Sequence, residues 1–150
     1  MITQFVNFIS EKLHNDEIIR ESDGEDRIKY IIKNDNDVIS ELVVELLFDS
    51  YQYEFSDFMS ENDFDNYYPK EIIVKIEYVK TKPNYLRTGI ATKLMRYMLK
   101  NMKENGYSQF FLNASPMGFD IDVENLVNFY KKFGFEILLD QGHNVLMGKN

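Results

Sequence analysis

One short segment restricts the folds open to this chain more than any other, because a single glycine separates a strand pattern from a helix pattern. Residues 72–79 alternate in the way typical of a strand, and apolar residues repeat at helical spacing over residues 90–103. Between them, Gly89 supplies the backbone freedom of a tight turn. A turn that leads directly into a helix presents unpaired N–H groups at the positive end of the helix dipole. Residues 83–95 therefore predict a binding site for phosphate oxygens.

Two familiar phosphate-binding patterns are excluded at this turn. No Gly-Lys-Ser/Thr sequence follows the first glycine, so the turn is not a Walker loop. Only one glycine is present and no second βαβ half follows, so the turn is not a dinucleotide fingerprint. An ordinary strand-to-helix turn without a ligand is the competing interpretation of the segment.

The other patterns predict one domain over residues 1–150 with the order α-β-β-β-α-β-α-β-β. Helices are predicted over residues 2–13, 90–103 and 122–132, the last with Asp122 as its N-cap and Gly134 as its stop. Strands are predicted over residues 27–32, 38–47, 72–79, 107–113, 135–139 and 145–147. In the strand before the turn, alternation predicts that Tyr78 shares a face with Ile76 and that Val79 lies on the opposite face.

Charge and composition exclude several classes of function. The chain has 25 acidic and 17 basic residues and a net charge of −8, which argues against a nucleic-acid backbone as its main partner. It has no cysteine, so disulfides, a thiolate nucleophile and a cysteine zinc site are excluded. Both histidines, His14 and His143, are isolated, and no metal site is expected. No apolar run approaches the length of a membrane span, so we expect a soluble, cytoplasmic protein without a membrane partner.

Two motifs in the second half of the chain carry a resemblance to a known family. Residues 83–91 read Pro-Asn-Tyr-Leu-Arg-Thr-Gly-Ile-Ala, which resembles the acetyl-CoA pyrophosphate turn of the GNAT N-acetyltransferases, R/Q-x-x-G-x-G/A. Ala91 fits the last position, whereas Leu86 stands where the family has arginine or glutamine, and Arg87 lies one place later. Residues 129–135 read Phe-Tyr-Lys-Lys-Phe-Gly-Phe, which resembles the end of the family's late helix, L/F-Y-E-K-x-G-F.

The resemblance implies an α/β (α+β) fold of the GNAT type, with a mixed, mostly antiparallel central sheet flanked by helices and a shortened N-terminal part. It also implies acetyl-CoA as the acetyl-donor cosubstrate. The residues implied to bind this cosubstrate are Tyr78, Val79, Arg87, Thr88, Gly89, Ile90, Ala91, Thr92 and Asn113. Two catalytic residues are implied, Tyr130 as the acid that protonates the leaving thiolate and Glu77 as the general base. An ion pair with a lysine is the competing interpretation of Glu77, and the rival bases are Glu41, Glu45 and Glu71.

The implied reaction is transfer of an acetyl group to a primary amine by direct attack in a ternary complex, and the absence of cysteine suits a route without an acyl-enzyme. Two alternatives stay open. One is a non-catalytic acyl-CoA-binding or protein-interaction module, favoured by Leu86 and by Val123, which stands where the family commonly has asparagine. The other is an RNA-modifying or toxin-like member of the same family, against which the net charge of −8 argues.

An unusual segment before the central strand bears on the acceptor. Residues 49–68 interleave aromatic side chains with acids. Acidic groups raise the local concentration of a cation, and aromatic faces hold an ammonium group by cation–π contact. The segment therefore predicts a positively charged amine as the acceptor, with a solvated acidic loop as the competing interpretation. The oligomeric state, including a homodimer, is left open by the sequence.

Overall fold

The structure, a computed structural model, describes residues 18–48, 72–116 and 122–150. The helix predicted over residues 2–13 and the acidic, aromatic segment over residues 49–68 lie outside the described residues. Within the described ranges the strands are β1 (Ile19–Ser22), β2 (Arg27–Asn34), β3 (Asp37–Leu47), β4 (Ile73–Thr81), β5 (Phe110–Ala114), β6 (Glu136–Asp140) and β7 (Val145–Lys149). The α-helices there are α1 (Ile90–Glu104) and α2 (Val123–Lys131), and neither is long and apolar enough to cross a membrane.

The strands form one mixed sheet in the order β1-β2-β3-β4-β5-β7-β6. The pair β4–β5 is parallel, and the other five neighbouring pairs are antiparallel. Because parallel neighbours need a crossover connection, α1 bridges the end of β4 and the start of β5. The predicted mixed, mostly antiparallel sheet flanked by helices is therefore confirmed.

Two strands differ from their predictions. The sequence pattern does not predict β1, because its four residues are all exposed and only Ile19 among them is apolar. β5 begins at Phe110 and not at Tyr107. The reason is that Tyr107 N–H donates to Met102 C=O at 3.0 Å, with Gly106 at a left-handed φ of 92°. This arrangement closes the C-terminus of α1, so Tyr107 belongs to the helix end.

Both described helices pack on one face of the sheet and share a hydrophobic core with it. The predicted apolar stripe of α1 is buried, with exposed fractions of 3% or less at Ile90, Leu94, Met98 and Met102. A smaller apolar cluster lies on the other face of the sheet and includes Leu47, Ile73 and Leu138. Burial of this stripe against the sheet positions the start of α1, and therefore the turn at Gly89.

A β-bulge in β4 corrects the predicted facing of its last residues. Two consecutive residues of β3 pair with Tyr78 and Ile76, so Glu77 between them is the extra residue. An extra residue shifts the alternation of all the residues that follow it. Val79 consequently packs against the helix-side core on the same face as Ile76, and Tyr78 lies on the opposite face. The predicted facing of Tyr78 and Val79 is wrong, because a bulge depends on the partner strand and not on the local pattern.

Two buried tyrosines make the stability sensitive to alkaline pH. Burial raises the pKa of Tyr30 and of Tyr130 to about 12, from 10.0 for an unperturbed tyrosine. Over the interval between these values the folded state holds protons that the unfolded state has released. The stabilisation is therefore complete below about pH 10 and is lost as the pH rises through about 12. We expect urea denaturation to show the free energy of unfolding falling over this interval, by roughly 3 kcal/mol for each hydroxyl.

Phenylalanine variants test whether the hydroxyl groups of Tyr30 and Tyr130 cause this pH dependence. Tyr30→Phe and Tyr130→Phe are each expected to remove part of the alkaline slope. Tyr107→Phe is the control, because the Tyr107 side chain is only half-buried and lies at the end of α1. Equal slopes in the wild-type chain and all three variants would contradict the assignment to the two buried hydroxyls.

Candidate functional site

A tight turn joins β4 to α1 and carries the predicted phosphate-binding residues. After a single 3-10 turn, Arg87 and Gly89 both take left-handed backbone conformations, with φ of 63° and 85°. Glycine adopts such a φ without steric cost, as the sequence predicts for Gly89. The Tyr85 hydroxyl accepts a hydrogen bond from the Asn34 amide at 2.9 Å, and the Tyr85 carbonyl accepts one from the Thr88 hydroxyl. The first bond ties the turn to the end of β2, and the second lies within the turn.

The start of α1 leaves its backbone donors available to a ligand. The N-cap is Gly89, which has no side-chain acceptor, and the first helical turn holds no acid. Lys93 N–H donates to Gly89 C=O at 3.0 Å. The N–H groups ahead of that bond have no intrahelical acceptor, and they include those of Ile90, Ala91 and Thr92. Among the residues that the structure describes, no atom lies within 4 Å of the position that a Cβ atom would take on Gly89. Unpaired donors beside such a turn, at the positive end of the helix dipole, are suited to a pyrophosphate group.

The strands β4 and β5 separate just before this turn. Their pairing ends at Ile76 and Leu112, although β4 continues to Thr81 and β5 to Ala114. The separation begins at the bulge residue Glu77. Within the described residues, the facing edges of the two strands beyond that point pair with no other strand. Such edges carry N–H and C=O groups that hydrogen-bond to an extended ligand.

The predicted cosubstrate-binding residues lie at this opening and at the turn. Tyr78 and Val79 are on the β4 side of the opening, immediately after the bulge. Asn113 is exposed on the β5 side, one residue beyond the last pair between the two strands. Residues 87–92 form the turn itself and the first helical residues.

The predicted base, Glu77, lies among other charged groups on the sheet face away from the helices. Its carboxylate oxygen is 3.8 Å from Lys75 Nζ, and that lysine belongs to the same strand. Across the sheet, Glu45 pairs in register with Lys75. A hydrogen bond with Glu77, followed by burial, raises the pKa of Glu45. The two carboxyl groups are therefore neighbours across the strands, and Lys75 offsets part of their charge.

The same face carries a second polar pair. The Tyr78 hydroxyl donates to Glu41 Oε1 at 3.1 Å. Burial, followed by this hydrogen bond, raises the pKa of Tyr78. Glu41 and Glu45 are four residues apart on β3, and sequence reasoning ranks both only as rivals of Glu77. Their importance depends on the register between β3 and β4, which the local pattern does not contain.

Tyr130 lies on the helix-side face, inside the main core. It is 6% exposed, and its ring packs edge-on against Phe129 at 5.2 Å and Phe135 at 6.0 Å between centroids. The helix that carries it begins at the predicted N-cap, where Asp122 Oδ1 accepts from Asn125 N–H at 2.7 Å. Because burial raises its pKa to about 12, Tyr130 keeps its proton at neutral pH.

The two predicted catalytic side chains therefore do not form a direct pair. Glu77 lies on the face with Lys75, whereas Tyr130 belongs to the core that also contains the first residue of α1, Ile90, and the last residue of β5, Ala114. The opening is a gap in the sheet that lies between these two faces. In the described part of the chain, no group of three or more His, Cys, Asp or Glu side chains is placed to hold a metal ion.

The sequence of the site region matches a known family. Residues 72–138 match the family model described as an acetyltransferase (GNAT) domain. This stretch contains β4, the Gly89 turn, α1, β5 and α2, which are the elements that build the opening. A search among curated proteins finds no matching sequence.

Solved structures share the fold. PaiA N-acetyltransferase from Thermoplasma acidophilum, in complex with coenzyme A, has a TM-score of 0.59 at 17% identity, over 99% of this chain and 70% of that one. The ribosomal-protein-S18-alanine N-acetyltransferase from Escherichia coli has a TM-score of 0.58 at 10% identity, over 98% of this chain and 88% of that one. Arabidopsis thaliana NAA60, in complex with acetyl-CoA, has a TM-score of 0.57 at 14% identity, over 96% of this chain and 90% of that one. The predicted resemblance to the GNAT family, in sequence and in fold, is confirmed.

Proposed function

We propose that this chain, with a GNAT domain match on a GNAT fold, is an acetyl-CoA-dependent N-acetyltransferase that acts on a primary amine. One observation carries the proposal: β4 and β5 separate at the Glu77 bulge, and the opening leads to the unpaired N–H groups at Gly89. Two of the similar structures are complexes with coenzyme A or acetyl-CoA, which supports the same cosubstrate here.

The cosubstrate would be held chiefly by main-chain groups. In the proposal, residues 87–92 bind the pyrophosphate through their N–H groups and the helix dipole. The free edges at Tyr78, Val79 and Asn113 bind the extended pantetheine chain in the manner of an added strand. Because main-chain donors do this work, Leu86 does not need to supply a charged side chain.

The chemistry of direct transfer assigns a role to each predicted residue. The nitrogen of the neutral amine attacks the thioester carbonyl carbon, a C–N bond forms, and the carbonyl electron pair moves to oxygen. The backbone N–H of Val79 stabilises this oxyanion. The C–S bond then breaks, Glu77 accepts the amine proton through water, and Tyr130 donates a proton to the departing thiolate. Glu77, the proposed base, and Tyr130, the proposed acid, lie on opposite faces of the sheet. This arrangement suits the reaction, because the base acts on the incoming amine and the acid acts on the departing thiolate.

Acetyl-CoA titration observed by amide NMR tests the proposed site. We expect shifts concentrated at residues 77–81, 87–92 and 113–114, where the free backbone groups lie. Amides of the two edge strands, β1 and β6, serve as internal controls, since at least one strand lies between each of them and the opening. Shifts confined to other residues, or none at millimolar acetyl-CoA, would contradict the proposal.

The base assignment predicts a specific change in pH dependence. Glu77→Gln is expected to lower kcat by about a hundredfold and to remove the acidic limb of the pH–kcat profile, because glutamine cannot accept the amine proton. Glu136→Gln is the control, since that side chain is exposed on the edge strand β6. If Glu77→Gln keeps the wild-type profile, Glu77 serves only as the ion-pair partner of Lys75, and Glu41, Glu45 or Glu71 becomes the candidate base.

We further propose that the acceptor is a cationic amine, such as a polyamine, an aminoglycoside or a lysine-rich peptide. The support is the acidic, aromatic composition of residues 49–68, which precede β4. Neutralising the acids of that segment should raise the KM for the acceptor without changing acetyl-CoA affinity, because cation attraction is lost. The acids to be neutralised together are Glu54, Asp57, Glu61, Asp63 and Asp65.

A matched variant controls for net charge in this experiment. It neutralises five exposed acids elsewhere, namely Glu21, Glu25, Glu104, Glu124 and Glu136. The KM of the wild-type enzyme should also climb with ionic strength, as exposed charges are screened. A neutral or anionic preferred acceptor, or equal KM values in the two variants, would show that the segment is only a solvated acidic loop.

A non-catalytic acyl-CoA-binding module is the second candidate, and Leu86 favours it. This leucine is 41% exposed at the position where the family carries arginine or glutamine. Under that alternative, acetyl-CoA binds at the opening but no amine accelerates its consumption. A homodimer likewise stays a prediction, which a mass measurement in solution would test.

A further inference from the structure

The hairpin of β2 and β3 supports the turn that leads from β4 to α1. Lys82, the first residue after β4, donates its backbone N–H to Ile39 C=O on β3 at 2.8 Å. The next residue of β3 is Ser40, which is 1% exposed. Its hydroxyl donates to Lys80 C=O at 3.2 Å and lies 2.9 Å from the Thr81 hydroxyl. The hairpin therefore fixes the point at which the turn leaves the sheet.

Tyr85 connects the same hairpin to the middle of the turn. Its ring packs against the main hydrophobic core, and its hydroxyl accepts a hydrogen bond from the Asn34 amide at 2.9 Å. Asn34 is the last residue of β2 and lies 51 positions before Tyr85 in the sequence. Both side chains are half-buried. The bond therefore joins the turn to a strand that is distant along the chain.

The backbone of Tyr85 continues this support towards Gly89. Tyr85 N–H donates to Lys82 C=O at 2.9 Å, and Tyr85 C=O accepts from the Thr88 hydroxyl. Between Tyr85 and Thr88, Arg87 takes a left-handed φ of 63°. This conformation is uncommon for a residue with a side chain, and it persists where the surrounding structure fixes it. Tyr85 consequently links the hairpin to the residues that form the predicted phosphate-binding turn.

We propose that Asn34 is a positioning residue for the cosubstrate turn and acts through the Tyr85 hydroxyl. This inference rests on the proposed function, and Asn34 lies outside the residues 72–138 that match the family model. Main-chain donors bind a ligand more tightly when they are already ordered before it arrives. The Asn34–Tyr85 bond supplies this order by anchoring the turn to the sheet, and Asn34 itself does not touch the cosubstrate. Loss of the bond therefore weakens acetyl-CoA binding and leaves the chemical step unchanged.

The chain offers a matched control for this bond. A second tyrosine–asparagine pair joins β2 to another element, since the Tyr30 hydroxyl donates to Asn101 Oδ1 at 2.6 Å. Asn101 is eleven residues beyond Ile90 on α1, which corresponds to roughly 17 Å along the helix axis. Removing this bond costs a comparable contact at a distance from the cosubstrate turn.

Isothermal titration with acetyl-CoA compares Asn34→Ala, Tyr85→Phe and the double variant. Each single variant should weaken acetyl-CoA binding by about three- to tenfold, the range expected for one hydrogen bond. The double variant should bind no more weakly than the single variants, because both changes remove the same bond. Tyr30→Phe and Asn101→Ala should keep the wild-type affinity. In steady-state kinetics, the KM for acetyl-CoA should rise in the Asn34 and Tyr85 variants while kcat stays at the wild-type value.

Amide NMR of the chain without ligand separates this proposal from the proposed function. Heteronuclear NOE values at residues 86–89 should fall in Asn34→Ala and Tyr85→Phe, while those of β6 are unchanged. Wild-type acetyl-CoA affinity in Asn34→Ala, equal losses in the control pair, or additive losses in the double variant would overturn the positioning role. Melting temperatures show that each variant is folded. A wild-type chain that binds no acetyl-CoA would overturn the proposed function, and the NOE values would still decide whether Asn34 orders the turn.

Discussion

Replacing Gly89 with valine is expected to abolish the rise in melting temperature that acetyl-CoA gives to the wild-type chain. A ligand at a hundred times its Kd stabilises a folded protein by about 2.7 kcal/mol, or roughly 5–10 °C for a domain of this size. Gly89 has a φ of 85°, which a β-branched residue adopts only with strain. In the proposed complex, its side chain would also block the close approach of the pyrophosphate to the backbone. Differential scanning fluorimetry with and without acetyl-CoA measures the effect.

Gly142→Val is the control for this experiment. Gly142 has a nearly identical φ of 87°, and a Cβ there also meets no atom within 4 Å, but it lies in the turn between β6 and β7. It should reproduce the backbone strain and keep the full acetyl-CoA shift. An unreduced shift in Gly89→Val would show that phosphate does not approach this turn.

Tyr130→Phe is expected to lower kcat by about a hundredfold or more while leaving acetyl-CoA affinity nearly unchanged. The substitution keeps the ring that packs against Phe129 and Phe135 and removes only the hydroxyl that is proposed to protonate the thiolate. Steady-state kinetics gives kcat, and calorimetry gives the affinity for acetyl-CoA.

The exposed Tyr97 on α1 provides the comparison, and Tyr97→Phe should leave kcat unaltered. If Tyr130→Phe also keeps the wild-type kcat, Tyr130 is only a core aromatic and the acid role is wrong. A fall in kcat with an equal fall in acetyl-CoA affinity would point to damaged packing of α2.

The sequence predicts the elements whose signals are local. The Gly89 turn, the buried stripe of α1 and the Asp122 cap of α2 each depend on residues within a few positions of one another. Periodicity, a glycine at a left-handed position and a capping side chain all act at that range. For that reason the strand-turn-helix unit and the late helix are predicted with nearly the observed bounds.

The features that the sequence does not predict depend on partners distant along the chain. The bulge at Glu77 arises from pairing with β3, so local alternation assigns Tyr78 and Val79 to the wrong faces. The proximity of Glu45 to Glu77 follows from the same register. The short strand β1 is not predicted for another reason. All four of its residues are exposed, so its sequence has no alternation of apolar and polar residues.

Release of the CoA thiol from acetyl-CoA, followed over a panel of polyamines, aminoglycosides, amino acids and peptides, tests the central claim most directly. The account predicts release that depends on both the chain and one class of cationic amine, with the acetylated amine identified by mass spectrometry. The claim would be contradicted if acetyl-CoA binds at the Gly89 turn but no amine of the panel causes release of the thiol. The chain would then be an acyl-CoA-binding module on a GNAT fold.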